Sequence, residues 1–169
     1  MKFAPFAVVH SHAHIPLDGI NLHVIGDLHI GAQTSRLEEV YNFIRRSGET
    51  DFFVFAGDIL DNALRDTVVD IYQQTKNPHE AVKNFVELLE AAHGRVLGVV
   101  TGNHDLWTWK RVGLDVFEII CSDKYIPYSR GILVLDLAVG QNARYGSARR
   151  LNYVILSLIH ISEPTRLGM

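Results

Sequence analysis

Val24-Ile25-Gly26-Asp27-Leu28-His29 is the stretch on which the reading of this 169-residue chain turns, and it is echoed twice. Phe55-Ala56-Gly57-Asp58-Ile59-Leu60-Asp61 is the first echo, and Val100-Thr101-Gly102-Asn103-His104-Asp105 the second. In each, a short run of β-branched and aromatic residues ends in Gly and then in acidic, amide or imidazole side chains. Such runs read as strands, so the three stretches predict strands that deliver Asp, His, Asp, Asn and His to a common edge. Carboxylate, imidazole and amide oxygen are the donors that a divalent cation of intermediate hardness takes. Four carboxylates in one place (Asp27, Asp58, Asp61 and Asp105) would repel one another unless positive charge sat between them. The pattern implies metal.

Between the three stretches the hydrophobic period changes to that of helices. Gly31 opens a loop, and Thr34 or Ser35 can cap a helix running to about Arg46, with Leu37, Val40, Tyr41 and Ile44 on one face and Gly48 after its end. Asp51 to Ala56, centred on Phe-Phe-Val-Phe, reads as a buried strand. Leu64, Val68, Ile71 and Tyr72 suggest a second helix, ending before Lys76-Asn77-Pro78. Asn77 then caps a third, with Pro78 in the first helical position and Glu80 in the third, close to a capping box. Val82, Phe85, Val86 and Leu89 form its apolar stripe, Gly94 ends it, and Val96 to Val100 is the next strand. Strand, ligand loop, helix, strand, ligand loop predicts a layered α/β fold with its site at the carboxyl ends of the strands.

Outward from this centre, Phe6 to His14 reads as a strand, Leu17-Asp18-Gly19 as a turn, and Ile20 to Ile25 as the next strand. His10, His12 and His14 alternate onto one strand face. A zinc site is one reading of them. The plainer one is a polar, solvent-facing side, since no patterned fourth ligand or orienting carboxylate accompanies them. Trp107 and Trp109 follow the third stretch closely and are read as packing, with a gate at the cleft mouth as the alternative. Val116 to Cys121 reads as a short helix, Ile132 to Val139 as a strong strand, Gly140 to Ser147 as a turn-rich connection, and Tyr153-Val154-Ile155 as the start of another strand.

Bulk composition bounds the class. The chain is of one-domain size, with 47% apolar and 21% charged residues, as in ordinary soluble globular proteins. A formal charge of −3 argues against a dedicated nucleic-acid binder with a basic face. One cysteine, Cys121, excludes an internal disulfide and fits a reducing compartment. The apolar run in Met1 to Val9 is short for a signal peptide, and nothing is long enough to span a bilayer, so a cytoplasmic location is expected.

The last residues read differently. Leu-Ser-Leu-Ile-His-Ile-Ser-Glu-Pro-Thr-Arg, from Leu156 to Arg166, looks like the direct translation of a transposase-type sequencing-library adapter. The expectation is therefore an incomplete domain over 1–155 and a non-native tail over 156–169, with His160 not counted as a ligand.

Taken together, Asp-x-His, Gly-Asp-x-x-Asp and Gly-Asn-His-Asp, in this order and each after a predicted strand, resemble the calcineurin-like metallophosphoesterases. The likeness is close from Ile20 to Asp105 and looser to Ile155. It implies an α/β/β/α sandwich, here C-terminally truncated, and a site with two divalent metal ions, manganese, iron or zinc. By the same resemblance Asp27 and His29 bind the first metal, Asp58 bridges both, and Asn103 binds the second through its amide oxygen. His104 would face the substrate phosphate, and Asp61 would hold its imidazole. Asp105 is read as a structural group or one that supports the ligands from behind. Paired cations of this kind lower the pKa of a shared water and clamp the attacking and leaving oxygens of an in-line displacement. The implied function is hydrolysis of a phosphate mono- or diester.

Two departures qualify the likeness. The family adds a further His after a later strand and then Gly-His-x-His, and neither is present. The second metal is left with Asp58 and Asn103, so weak metal binding and little turnover are expected of the chain as written, and activity of its intact parent. Asp61-Asn62-Ala63 stands where the Ser/Thr protein phosphatases carry Asp-Arg-Gly, which favours the broader phosphoesterase group. The substrate stays open between a nucleic acid, a nucleotide and another small phosphoester, as does the oligomeric state. Arg130, Arg144, Arg149 and Arg150 fit either a polyanion or a solvated face. The alternative class is a non-catalytic metal-binding or interaction module with the same fold.

Overall fold

The computed structural model describes residues 8–61, 77–140 and 149–156. Within these lie strands β1 (Val8–Ile15), β2 (Asn21–Ile25), β3 (Asp51–Ala56), β4 (Val96–Val100), β5 (Tyr128–Ser129), β6 (Ile132–Val139) and β7 (Arg149–Leu156). The described helices are α1 (Leu37–Arg46), α2 (Pro78–Ala91), α3 (Trp107–Val112) and α4 (Val116–Asp123). The helix expected over Leu64 to Tyr72 and residues 141–148 lie outside the described residues. So does the tail beyond Leu156, which itself closes β7 opposite Ile132.

Two sheets carry the fold. One is parallel throughout, in the order β2-β3-β4-β5, so the carboxyl ends of β2, β3 and β4 lie side by side. The other is β1-β6-β7, with β1 parallel and β7 antiparallel to β6. The two faces of the parallel sheet serve two cores. Phe53, Phe55 and Val99 face the helices, meeting Ile44, Phe85, Leu88, Phe117 and Ile120. Val54, Leu97 and Val100 face the other sheet, meeting Leu133, Leu135, Leu137 and Ile15. Phe53, Phe55 and Phe85 are fully buried, and each contributes about 1.5–3 kcal/mol of apolar transfer. The result is a helix/sheet/sheet stack. Among the described residues no helix lies on the outer face of β1-β6-β7, where the expected sandwich has its fourth layer.

Helix ends follow from single side chains. Asn77 accepts from the Glu80 amide at 2.9 Å while Glu80 Oε2 accepts from the Asn77 amide at 3.1 Å, the reciprocal box expected from the sequence. The apolar face expected for α1 is present, but neither Thr34 nor Ser35 caps it. Its N-cap is Arg36, with no side-chain bond. The Ser35 hydroxyl is committed elsewhere, donating to the Leu28 carbonyl at 2.8 Å. A helix end is thereby tied to a ligand loop.

His10, His12 and His14 all point to solvent from β1. His12 Nδ1 lies 3.0 Å from Asp136 Oδ2, and His14 Nε2 is 3.1 Å from the Gly140 carbonyl. The plainer reading fits these contacts.

Candidate metal centre

Each of β2, β3 and β4 ends in a loop that the next loop holds in place. Asp27 N–H donates to the Gly57 carbonyl at 3.1 Å, His29 N–H to Asp58 O at 3.0 Å, and Ile30 N–H to Ile59 O at 2.8 Å. Gly57 N–H in turn donates to Val100 O at 2.7 Å. The loops thus extend the sheet's hydrogen bonding past the strand ends. Gly26 makes the first approach possible, because a β-carbon there would overlap the Ala56 carbonyl oxygen.

The turns are sharp enough to force side chains into left-handed backbone. Asp27, His29 and Asp58 have φ of 50°, 42° and 41°. Such a conformation costs roughly 1–2 kcal/mol per residue and survives only where the surroundings fix it. Three of the site's residues carry it, and each side chain is turned out at the strand edge as a consequence.

What converges there is a set of donors. Ligand atoms of Asp27, His29 and Asp58 lie within 4.8 Å of one another, and those of His29, Asp61 and His104 form a second such group. His29 belongs to both. Asn103 Oδ1 and His104 Nδ1 are buried with no hydrogen-bond partner. A buried amide oxygen left unpaired costs about 1–3 kcal/mol, and a cation bound at the end of this loop, which meets Asp58 through the His104 amide, would satisfy it. The donor set fits a divalent metal.

Asp61 Oδ1 is 3.7 Å from His104 Nδ1 and 3.9 Å from His29 Nδ1. The carboxylate stands between two imidazoles, near enough for charge attraction but beyond hydrogen-bond length from either. Burial holds the His104 imidazole below the ordinary histidine pKa. Asp58 and Asp61 pull it up, and His29 pushes it down. Trp107 covers one side of His104, ring centroids 4.2 Å apart at 30°.

Asp105 acts from below. Its Oδ2 accepts from Ile59 N–H at 3.1 Å and Gly102 N–H at 2.9 Å, and its Oδ1 from Leu60 N–H at 2.8 Å. One carboxylate therefore joins the second and third loops through three backbone amides. Burial pushes its carboxyl up to about 7 against the pull of those donors.

Two features escaped the sequence reading. Arg130, which by sequence fits either a polyanion or a solvated face, is committed to two carboxylates, Asp115 at 2.8 Å and Glu118 at 3.0 Å. Asp115 is also the N-cap of α4, accepting from Glu118 N–H at 3.0 Å. The run Asp-Val-Phe-Glu from 115 to 118 carries that signal.

Fold and site together define an α/β protein whose parallel sheet presents a carboxylate–imidazole–amide cluster at its carboxyl edge. The family model described as calcineurin-like phosphoesterase matches residues 20–156, and the chain belongs to that family. The family implies metal-dependent phosphoester chemistry in general. No curated protein and no solved structure matches the chain. Among the described residues no helix is long and apolar enough to cross a membrane.

Proposed function

We propose that this protein is a hydrolase of phosphate mono- or diesters that works with two divalent cations, manganese, iron or zinc, in the cytoplasm. The observation that carries the proposal is the convergence of the Asp27, His29 and Asp58 ligand atoms within 4.8 Å of one another, next to a loop that is bonded to Asp58 through the His104 amide and that holds the buried, unpaired Asn103 Oδ1. Asp27, His29 and Asp58 would hold one cation, and Asp58 and Asn103 the other. Bound there, the cations supply the charge that draws in a phosphoester and the acidity that yields a nucleophile from water at neutral pH.

The chain's own residues do the rest. Asp58, 8% exposed, belongs to the group with Asp27 and His29, and its Oδ1 accepts from the His104 amide at 3.0 Å. That bond leaves its second oxygen to reach outward. His104, its ring beside Asp61 and stacked on Trp107, is suited to exchange a proton with a phosphoester oxygen. Asp61 stabilises the imidazolium that results and Trp107 restricts the ring's swing. The substrate remains a nucleic acid, a nucleotide or another small phosphoester.

The experiment is a manganese titration of the purified chain with bis(p-nitrophenyl) phosphate and p-nitrophenyl phosphate as substrates, beside Asp58→Asn and His104→Ala. With two described ligands for the second cation, slow turnover is expected, dependent on manganese and lost in both variants. Turnover independent of metal, or unchanged in Asp58→Asn, overturns the proposal.

A further inference from the structure

A chain of contacts leads from Arg130, outside the ligand loops, to His104 within them. The Arg130 guanidinium lies over the Trp109 ring, 4.5 Å from its centroid, at cation–π distance. The same group is oriented from behind by Asp115, at 2.8 Å from Nε, and by Glu118, at 3.0 Å from Nη2. Asp115 is 8% exposed and accepts two further contacts from the Tyr128 hydroxyl, at 2.9 and 3.1 Å. Tyr128 belongs to β5, which pairs with β4 beside Val99 and Val100. Arg130 therefore projects from the rigid sheet, with its charge satisfied and its planar face free to act as a plate.

Trp109 is what the plate bears on. It lies in α3, whose first residue, Trp107, stacks on His104. That helix is six residues long, has no side-chain cap and buries no residue. A helix so short has no independent stability, so its position must come from tertiary contacts. Trp107 N–H donates to the His104 carbonyl at 3.2 Å and Gly113 N–H to Trp109 O at 2.9 Å, so one short stretch of helical backbone carries both indoles. Whatever fixes Trp109 fixes Trp107.

We propose that Arg130 is a positioning residue for the site: by clamping Trp109 it sets α3 so that Trp107 stays stacked on His104. The clamp needs a guanidinium rather than a charge alone, because it uses a flat face against the indole and an edge against two carboxylates together. Its bearing on catalysis rests on the role given to His104 above. The clamp itself does not.

The test uses the full chain with carbon-13-labelled histidine, at one fixed pH above 8 and without added metal. Trp107→Leu gives the position of the His104 ring resonance when no indole shields it, and His104→Gln assigns the signal. Arg130→Met and Arg130→Lys are then compared with it. Both are expected to move the His104 resonance by at least half of the displacement seen in Trp107→Leu. The His23 signal, from a ring held between Phe43 and Phe53, is expected to stay in place. Arg130→Lys keeps a cation for Asp115, so its thermal midpoint is expected closer to that of the parent. That separates the clamp from general stability and gives an answer even where Arg130→Met does not fold. A His104 resonance unmoved in Arg130→Lys, or fully restored there after moving in Arg130→Met, overturns the proposal. If the resonance moves as expected but His104→Ala keeps full hydrolytic activity, the clamp stands and the catalytic role of His104 falls.

Discussion

Gly102 and Asp58 fit together so closely that a β-carbon on Gly102 would overlap both the Asp58 amide nitrogen and its Oδ1. The third loop can pass behind the central carboxylate only because residue 102 has no side chain. The obstructing atoms include backbone, which cannot rotate away. Gly102→Ala is expected to destabilise the fold by about 1–3 kcal/mol, the range for overpacking a filled site, and to weaken metal binding by displacing Asp58. Urea midpoints and manganese titration measure the two effects. Gly19→Ala is the control, since nothing lies within 4 Å of a β-carbon there, and a change beyond about 0.5 kcal/mol would be unexpected for such a surface position.

Asp105 is the joint between loops, and its removal is expected to cost more than any single ligand. Asp105→Ala strands three buried amides, those of Ile59, Leu60 and Gly102. At about 1–3 kcal/mol for each unsatisfied donor, a loss of roughly 3 kcal/mol or more follows. Asp105→Asn keeps an oxygen for two of them and sets its NH2 against the third, so an intermediate loss is expected. Denaturant unfolding ranks the three proteins. Equal stability of Asp105→Ala and the parent would refute the joint.

Acid stability should depend on a pair far from the site. Asp51 accepts from His23 at 2.8 Å, Asn21 at 3.0 Å and the Gly48 amide at 2.7 Å, and the His23 bond leads in pulling its carboxyl down to about 2. The folded value lies below the ordinary aspartate pKa of about 3.9. Stability from this group is therefore complete above about pH 4 and is lost as pH falls through about 2. The gap in urea midpoint between the parent and Asp51→Asn should be constant near neutrality and close between those limits. A gap unchanged down to pH 2 would count against the assignment.

The two cations should bind unequally. In the proposed arrangement one would be held by Asp27, His29 and Asp58, whose ligand atoms lie within 4.8 Å of one another, and the other by Asp58 and Asn103 alone. Calorimetric titration with manganese is expected to show a tighter and a weaker step. Asp27→Asn should abolish the first, and Asn103→Ala the second. Loss of both steps in Asn103→Ala would mean that the sites are not separate.

Much of the fold was legible because buried strands announce themselves. Phe-Phe-Val-Phe and Val-Leu-Gly-Val-Val gave β3 and β4 with the observed boundaries, as did Ile132–Val139 for β6. The Asn77 box was equally plain, since its bonds join residues three apart. What stayed hidden depends on contacts distant in sequence. Ser35 looked like a cap until Leu28 claimed its hydroxyl. Arg130 looked free because Asp115 and Trp109 meet it only once β5 lies beside β4. With two residues, β5 is too short to show a period, and Trp-Thr-Trp hides α3 under residues that favour strands. The donors of the metal centre could be picked out, since Gly followed by Asp or Asn at a strand end is a local pattern. The near-equal distances from Asp61 to His29 and His104 are a matter of three dimensions.

The cross-bonding of the three loops has a consequence for which ion is taken. Amide-to-carbonyl bonds and Asp105 set the spacing of the donors, so in the proposed site that spacing would not depend on the ion. A cradle formed without the ion is not remade to suit one element, unlike a finger that folds around zinc. Cations of similar radius should then exchange in it without refolding the chain, and supply in the cell, more than shape, would choose among them.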